Sequence, residues 1–288
     1  MNLMLISLIT LVLVSAFSAV ILYFVSRKFH VHEDARIAEV EALLPAANCG
    51  GCGFPGCRGF ASACVNAGTL AGLVCPVGGN PTMQKVASTL GKTAVTTEPT
   101  VAVVRCNGNC DVRPRTNRYD GASSCAIAHN LYSGETACSW GCLGLGDCEL
   151  SCKFDAIHIN PDTLLPEVVE EKCTSCGACV RACPKIIIEL RKKGPKSRRI
   201  YVGCVNKDKG VSGRKACSVA CTGCSECMDA CEYGAITLDK NLAYIDAGKC
   251  KICRKCVAVC PSAAITEINF PPRKAEVRSG NPVLEVVS

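Results

Sequence analysis

From Leu3 to Val25 the chain runs through 23 positions without a charged side chain. At ~1.5 Å per residue this is long enough to cross a ~30 Å hydrocarbon layer, so the pattern predicts one spanning helix. A cleaved secretory leader is the rival reading, but it wants a basic start, a shorter apolar core and a small-residue cleavage site. Here positive charge comes after the span, at Arg27 and Lys28, which by the positive-inside rule keeps the bulk of the chain in the cytoplasm. Residues Glu33 to Leu44 then alternate as a short amphipathic helix with Ile37, Val40, Leu43 and Leu44 on one face, ended by Pro45. That face is expected to lie against the membrane or the next domain. Residues 81–100, rich in Thr, Val and Ala with little periodicity, read as a linker. Four short β-favouring segments follow, Ala156–Ile159, Ile186–Leu190, Ala235–Leu238 and Ala264–Ile268. They predict small β-α-β units.

Sliding the sequence along itself exposes a duplication. At an offset of 79, Cys125, Cys138, Cys142, Cys148 and Cys152 fall on Cys204, Cys217, Cys221, Cys227 and Cys231. At an offset of 77, Cys173, Cys176, Cys179 and Cys183 fall on Cys250, Cys253, Cys256 and Cys260, and Pro184 falls on Pro261. Each β-favouring segment closes one of these cysteine runs.

Composition sharpens this picture. Cysteine supplies 26 residues and aromatics only 5% of the chain, so the aliphatic and aromatic core is small and something covalent must staple it. Disulfides and metal clusters compete at such a cysteine content. The cytoplasmic side is reducing, which leaves metal binding. The formal charge of +7 counts every cysteine as neutral. Several thiolate-bound clusters, each carrying net negative charge, more than cancel it, so no nucleic-acid partner is implied.

Spacing identifies the metal chemistry. Cys173-x2-Cys176-x2-Cys179-x3-Cys183-Pro184 and Cys250-x2-Cys253-x2-Cys256-x3-Cys260-Pro261 both match the bacterial ferredoxin run. Spacings of two let three thiolates from one tight loop reach three irons of a cubane. The fourth cysteine faces away and ligates the neighbouring cluster, which is why such runs come in pairs. Cys221-x2-Cys224-x2-Cys227-x3-Cys231 is a third copy without the proline. Pairing across the second half predicts one [4Fe–4S] site on Cys221, Cys224, Cys227 and Cys260 and another on Cys231, Cys250, Cys253 and Cys256. In the first half Leu145 stands where Cys224 would. Cys138 is the expected substitute, giving Cys138, Cys142, Cys148 and Cys183 for one site and Cys152, Cys173, Cys176 and Cys179 for the other. Structural zinc is the competing reading, but zinc sites separate their cysteine pairs with a longer spacer.

Nearer the amino terminus, Asn48-Cys49-Gly50-Gly51-Cys52-Gly53-Phe54-Pro55-Gly56-Cys57, with Cys75-Pro76 beyond it, supplies four more ligands. Gly51, Gly53 and Gly56 spell a G-x-G-x-x-G, yet no strand precedes it and cysteines interrupt it, against dinucleotide binding. A redox dithiol at Cys49 and Cys52 is weakened because Cys57 and Cys75 complete a four-ligand set. Cys64 is expected to pack as a small buried hydrophobe. Cys106, Cys110, Cys125, Cys204 and Cys217 either build a sixth site or are inert thiols. The basic stretch Arg191 to Arg199 reads as a solvated hairpin tip or, more sharply, as a dock for an acidic redox partner. His30, His32, His129 and His158 show no ligand spacing.

These features resemble the B-subunit family of the Rnf complex over nearly the whole chain. The apolar span, the motif from Asn48 to Cys57, and Cys138-Ser139-Trp140-Gly141-Cys142-Leu143-Gly144-Leu145-Gly146-Asp147-Cys148 ahead of a ferredoxin run carry the resemblance. The second ferredoxin-like module makes this a long form. The resemblance implies an electron-transfer subunit, with no catalytic side chain of its own, in a prokaryotic cytoplasmic-membrane complex of six kinds of subunit. That complex moves electrons between soluble ferredoxin and NAD⁺ while translocating Na⁺ or H⁺. Two other classes share parts of the pattern: a polyferredoxin subunit of another membrane redox enzyme, and a zinc-stabilised tethered binding module.

The expected architecture is therefore α+β. A single-pass anchor (1–26) in contact with lipid precedes a small four-cysteine [4Fe–4S] domain (27–92) and a linker with additional cysteines (93–137). A first ferredoxin-like module (138–190), a basic connector (191–216), a second module (217–270) and a tail (271–288) complete it. Five [4Fe–4S] clusters are expected, with a sixth open.

Overall fold

The computed structural model describes residues 2–28, 33–131 and 134–272. His30, His32 and nearly all of the expected tail lie outside them. Helix α1 spans Asn2–Lys28, and its stretch Leu5–Lys28 is long and apolar enough to cross a membrane, with none of it buried against the rest of the chain. The hydroxyls of Thr10, Ser15 and Ser18 donate to the carbonyls of Ser7, Val12 and Val14, so these polar groups are satisfied within the helix, as a lipid environment demands.

Three helices form the next unit: α2 (Ala35–Leu43), α3 (Cys57–Asn66) and α4 (Gly79–Leu90). Asp34 caps α2, its carboxylate accepting from the Arg36 N–H at 2.9 Å. The amphipathic face foreseen on this helix packs onto the following domain: Ile37, Val40 and Leu44 join Phe60, Cys64, Leu70, Met83 and Val86 in one core. Full burial of side chains such as Phe60 and Met83 contributes about 1.5–3 kcal/mol each. The first half of the expected linker is thus helix α4. Met83, Val86, Ala87 and Leu90 recur at helical spacing, and Gly91 ends the helix in the left-handed region at φ 63°. Lys92 closes the unit, its Nζ donating to the carbonyls of Cys64, Val65 and Ala67 at 2.6, 3.0 and 2.6 Å. A cation there complements the negative end of α3.

The remainder is a duplicated unit of short antiparallel strand pairs. In the first half β1 (Thr100–Val104) pairs with β4 (Ile188–Lys192), and β2 (Ile157–Ile159) pairs with β3 (Pro166–Val168). Helices α5 (Cys125–Leu131), α6 (Asp147–Leu150) and α7 (Ala178–Ala182) lie between them. In the second half β5 (Arg199–Val202) pairs with β8 (Ile265–Ile268) and β6 (Ile236–Asp239) with β7 (Leu242–Ile245), with α8 (Gly210–Ala216), α9 (Glu226–Asp229) and α10 (Lys255–Val259).

Both modules begin one strand earlier than the cysteine runs suggest. Strand β1 lies in the expected linker 93–137, and β5 in the expected connector 191–216. Each opening strand pairs with the last strand of its own half, across a separation that no local period reports. The pairings also reveal a third offset. Val104 faces Ile188 as Val202 faces Ile265, so the opening strands correspond at a shift of 98 (104 to 202), against 79 for the cysteines that follow. The first half therefore carries an insertion after its opening strand.

The basic stretch between the halves is solvated only in part: Lys192 and Lys196 are exposed, while its two ends are not. Arg191 and Arg199 are buried at 4% and 7% exposure. Arg191 bonds the Ile200 and Ile245 carbonyls and Glu189, and Arg199 pairs with Glu170. Lys193 donates to the Glu170 carbonyl, Arg198 to that of Asn269, and Lys192 pairs with Glu98. Arg191 and Arg199 tie the halves together, because each reaches carbonyls or a carboxylate of the opposite half.

Candidate metal centres

The ferredoxin runs fold into loops of one shape. Residues with positive φ stand on either side of each middle cysteine: Ser175 and Gly177 around Cys176, Gly223 and Ser225 around Cys224, Ile252 and Arg254 around Cys253. Left-handed residues at these points turn successive backbone N–H groups toward a common concavity, which suits a negatively charged occupant. Gly144 and Gly146, with φ of 73° and 84°, flank Leu145 in the same way. The loop shares the backbone turn of the others and lacks only the middle cysteine.

Cysteine-lined cavities sit inside these loops. In the second half, Cys221, Cys224, Cys227 and Cys260 line one of about 340 Å³, and Cys231, Cys250, Cys253 and Cys256 line one of about 310 Å³. Both quartets are those the spacing predicts. In the first half, Cys173, Cys176 and Cys152 neighbour Cys179, again the predicted set. Near the amino terminus Cys49 and Cys52 neighbour Cys75, and Cys57 is fixed by its N–H donating to Asn48 Oδ1 at 2.8 Å.

The remaining first-half cavity, about 340 Å³, is lined by Cys142, Cys148, Cys183 and Cys125. Cys138, expected there, lines a separate cavity of about 300 Å³ with Cys106, Cys204 and Cys217. The vacancy at Leu145 is thus faced by a cysteine from the insertion. Asp147 puts it there: its carboxylate accepts from the Cys125 and Ala126 N–H groups at 2.9 and 3.0 Å and from Ser124 Oγ at 3.0 Å. The start of α5 is thereby capped from a neighbouring loop. The bonded partner lies 22 residues away, so no local motif announces it. For Cys106 a signal was available, since it follows β1 by two residues as Cys204 follows β5.

Burial pushes the thiols of Cys148, Cys204 and Cys256 up to about 12 and those of Cys179 and Cys227 to about 11, and it raises Cys142 further. Thiols so hard to ionise become thiolates only when a metal centre supplies the compensating charge. Among the described residues no three His, Cys, Asp or Glu side chains converge on a point suited to one ion. Three thiolates from one C-x2-C-x2-C turn with a fourth from the paired run, as in the second-half cavities, are the donor set of a four-iron cubane. Backbone N–H groups lie near several sulfurs, among them Gly78 to Cys75 at 3.3 Å and Ile252 to Cys250 at 3.4 Å. Such bonds stabilise thiolate and raise cluster potentials.

Two cysteines stand apart. Cys64 is fully buried in the helical core, as expected, and burial lifts its thiol to about 11. Cys110 is exposed, with only the Thr163 carbonyl 3.7 Å from its sulfur. His158 contacts Glu149 and Asp155 and no cysteine cavity.

Ferredoxin-type loops in pairs, closing around cysteine-lined cavities, define a multi-cluster iron–sulfur protein. Family models agree: a 4Fe-4S dicluster domain matches residues 220–264, a 4Fe-4S binding domain residues 166–185, and an Fe-S cluster family residues 44–71. The chain is 42% identical to the B subunit of the Na(+)-translocating ferredoxin:NAD(+) oxidoreductase complex of Acetobacterium woodii, over 84% of this chain and 71% of that protein. It is 37% identical to the B subunit of the ion-translocating oxidoreductase complex of Methanosarcina acetivorans, over 85% and 91%. It is also 37% identical to the B subunit of the proton-translocating ferredoxin:NAD(+) oxidoreductase complex of Clostridium ljungdahlii, over 93% and 94%. The chain belongs to the B-subunit family of Rnf-type ion-translocating oxidoreductase complexes, as an iron–sulfur, electron-transferring component.

Proposed function

We propose that this chain accepts electrons from reduced ferredoxin and relays them along a row of [4Fe–4S] sites toward NAD⁺, as part of a complex that moves Na⁺ or H⁺. The observation that carries this is the contiguity of the cysteine quartets. Gly51, in the N-terminal loop, lies so close to Cys176 that a Cβ there would come within 2.8 Å of its carbonyl oxygen. Lys153 bridges the same units by donating to the Asn48 carbonyl at 3.4 Å. Cys148 and Cys179 neighbour each other inside the first module, as Cys227 and Cys256 do inside the second.

When bound, [4Fe–4S] clusters supply one-electron redox centres whose potentials follow their hydrogen bonds and exposure. The chain's own residues hold and space those centres. Cys49, Cys52, Cys57 and Cys75 hold the membrane-side one, and Cys125 takes the place foreseen for Cys138 beside Cys142, Cys148 and Cys183. Helix α1 anchors the chain as a single pass, with the cysteine-bearing bulk on the cytoplasmic side where Arg27 and Lys28 favour it.

Electrons enter at the far end of the row. Cys253 is exposed there, and Lys249, Lys251 and Lys255 around it are exposed as well. A small acidic ferredoxin suits that surface, since opposite charge speeds encounter between redox partners. This replaces the stretch 191–199 as the dock. The test is anaerobic reduction of the detergent-solubilised chain by reduced ferredoxin, followed optically in stopped flow. Reduction that slows at least tenfold in the triple variant Lys249→Glu, Lys251→Glu, Lys255→Glu, and falls with added salt, supports the assignment. A rate indifferent to both would overturn this dock, and no reduction by ferredoxin in any form would overturn the relay.

A further inference from the structure

The cavity between the two halves belongs to neither ferredoxin module. Its four cysteines are two corresponding pairs. Cys106 and Cys204 each follow the opening strand of their half by two residues, and Cys138 and Cys217 each stand four residues before the next run, at Cys142 and Cys221. Each half thus gives the same two ligands from the same two places. The Arg105 N–H bonds the Ile187 carbonyl as the Gly203 N–H bonds that of Ala264, at 2.7 and 2.8 Å, and the Asn107 N–H reaches across to the Gly203 carbonyl at 2.9 Å. The two ligand-bearing turns are therefore fastened to each other by the backbone.

We infer that Cys106, Cys138, Cys204 and Cys217 hold a further [4Fe–4S] cluster, shared by the two halves and bridging their relays. Three observations beyond the four sulfurs point to an occupant. The cavity, at about 300 Å³, matches in size those lined by the ferredoxin runs. Arg113, buried at 6% exposure, lines it with its Nε unpartnered, while Nη1 is held by the Cys142 carbonyl at 2.8 Å. A buried guanidinium N–H without an acceptor costs ~1–3 kcal/mol, and cluster sulfide or thiolate supplies that acceptor. Gly141 makes room for it, because a Cβ there would stand 2.1 Å from Arg113 Nη1. Asn206, 1% exposed, turns Nδ2 toward Cys138 Sγ at 3.6 Å. Its Oδ1 receives the Asp208 N–H at 2.7 Å, and the Asp208 carboxylate receives Trp140 Nε1–H at 3.1 Å.

The position closes the gap between the modules. The Cys142 N–H, from a first-module ligand, points at Cys106 Sγ from 3.5 Å. On the other side the Cys221 N–H bonds the Cys204 sulfur. Transfer through this site moves one electron, oxidising the donor centre as the acceptor is reduced, and makes or breaks no bond. With this quartet, six sites use all the cysteines except Cys64 and Cys110. The inference rests on the reading of the other cavities as cluster sites.

The experiment uses the full chain, purified anaerobically in detergent, with iron, sulfide and zinc counted. About 24 irons per chain are expected, against about 20 if only the other five sites fill. Cys204→Ser is expected to lose about four irons and to keep the reduced-cluster EPR signals of the remaining sites. Because misfolding of that variant would empty more than one site, the wild type supplies a second readout. Cys106 should resist anaerobic alkylation while Cys110 reacts, and should become reactive once iron is stripped. A wild-type count near 20 with Cys106 alkylated as readily as Cys110 overturns the bridging site and leaves the relay standing. Zinc in place of iron throughout overturns the relay itself.

Discussion

The two ferredoxin-like halves share a loop backbone but not a ligand set. In the second half all three cysteines of the run Cys221, Cys224 and Cys227 are present, and Cys260 completes the quartet from the paired run. In the first half Leu145 has replaced the middle cysteine, yet Gly144 and Gly146 keep the left-handed conformations that Gly223 and Ser225 adopt. The fourth thiol lining that cavity, Cys125, comes from α5, in the insertion that only the first half carries. The lesson is that loop geometry and ligand identity are separable. The backbone fixes where a thiolate must arrive, and any element that can be pinned nearby can deliver it.

This comparison can be broken at the ligands, where the largest effect is expected. Cys125→Ser and Cys224→Ser should each cost about four irons per chain, whereas Cys138→Ser should spare the Cys142, Cys148 and Cys183 site and deplete the bridging one. Retention of full iron in Cys125→Ser would return that place to Cys138. A sharper form follows from the shared loop backbone: Leu145→Cys added to Cys125→Ser should restore most of the lost iron, measured by the same assay. Failure of rescue would mean that the first-half loop no longer presents its middle position to the cavity.

A smaller effect is expected where Cys125 is positioned. Asp147→Ala removes three hydrogen bonds from the start of α5. The expected loss is about 1–3 kcal/mol in thermal unfolding of the loaded chain, with partial occupancy of this one site. The equivalent change in the second half, Glu226→Ala, caps no inserted helix and should leave occupancy unchanged. Next in size is Arg199→Ala, which leaves Glu170 half-buried without its partner. A destabilisation of about 3 kcal/mol is expected, read as a lowered melting temperature with the iron count preserved in what remains folded. The smallest effects separate the two unused cysteines. Cys110→Ser should change stability by under ~0.5 kcal/mol, while Cys64→Ser places a hydroxyl in an apolar core and should cost about 1–3 kcal/mol.

Much of the site was legible because ferredoxin ligation is local. Three thiolates within seven residues must reach one cubane, so spacing alone specifies the loops at Cys173, Cys221 and Cys250. The fourth cysteine of each run follows from the same geometry. The N-terminal loop was legible for the same reason, and the structure brings Cys75, further along, beside Cys49 and Cys52. What escaped was held by contacts between distant segments. Cys125 reaches its cavity only because Asp147 caps α5. Cys106 and Cys204 meet only because β1 and β5 each pair with the last strand of their half.

The sequence by itself determined the spanning helix, the duplication, the ferredoxin-type loops and the family. The helix and the loops rest on composition or short spacing, where chain geometry leaves few alternatives, and the duplication and the family on the recurrence of those same local patterns. Only the tertiary structure decided which thiol faces the place left by Leu145, that the two ends of the basic stretch, Arg191 and Arg199, are buried, and that four cysteines of two halves surround one cavity. Those outcomes depend on strand pairing and capping across the chain, where closing long loops lets remote residues meet in many ways and packing selects one.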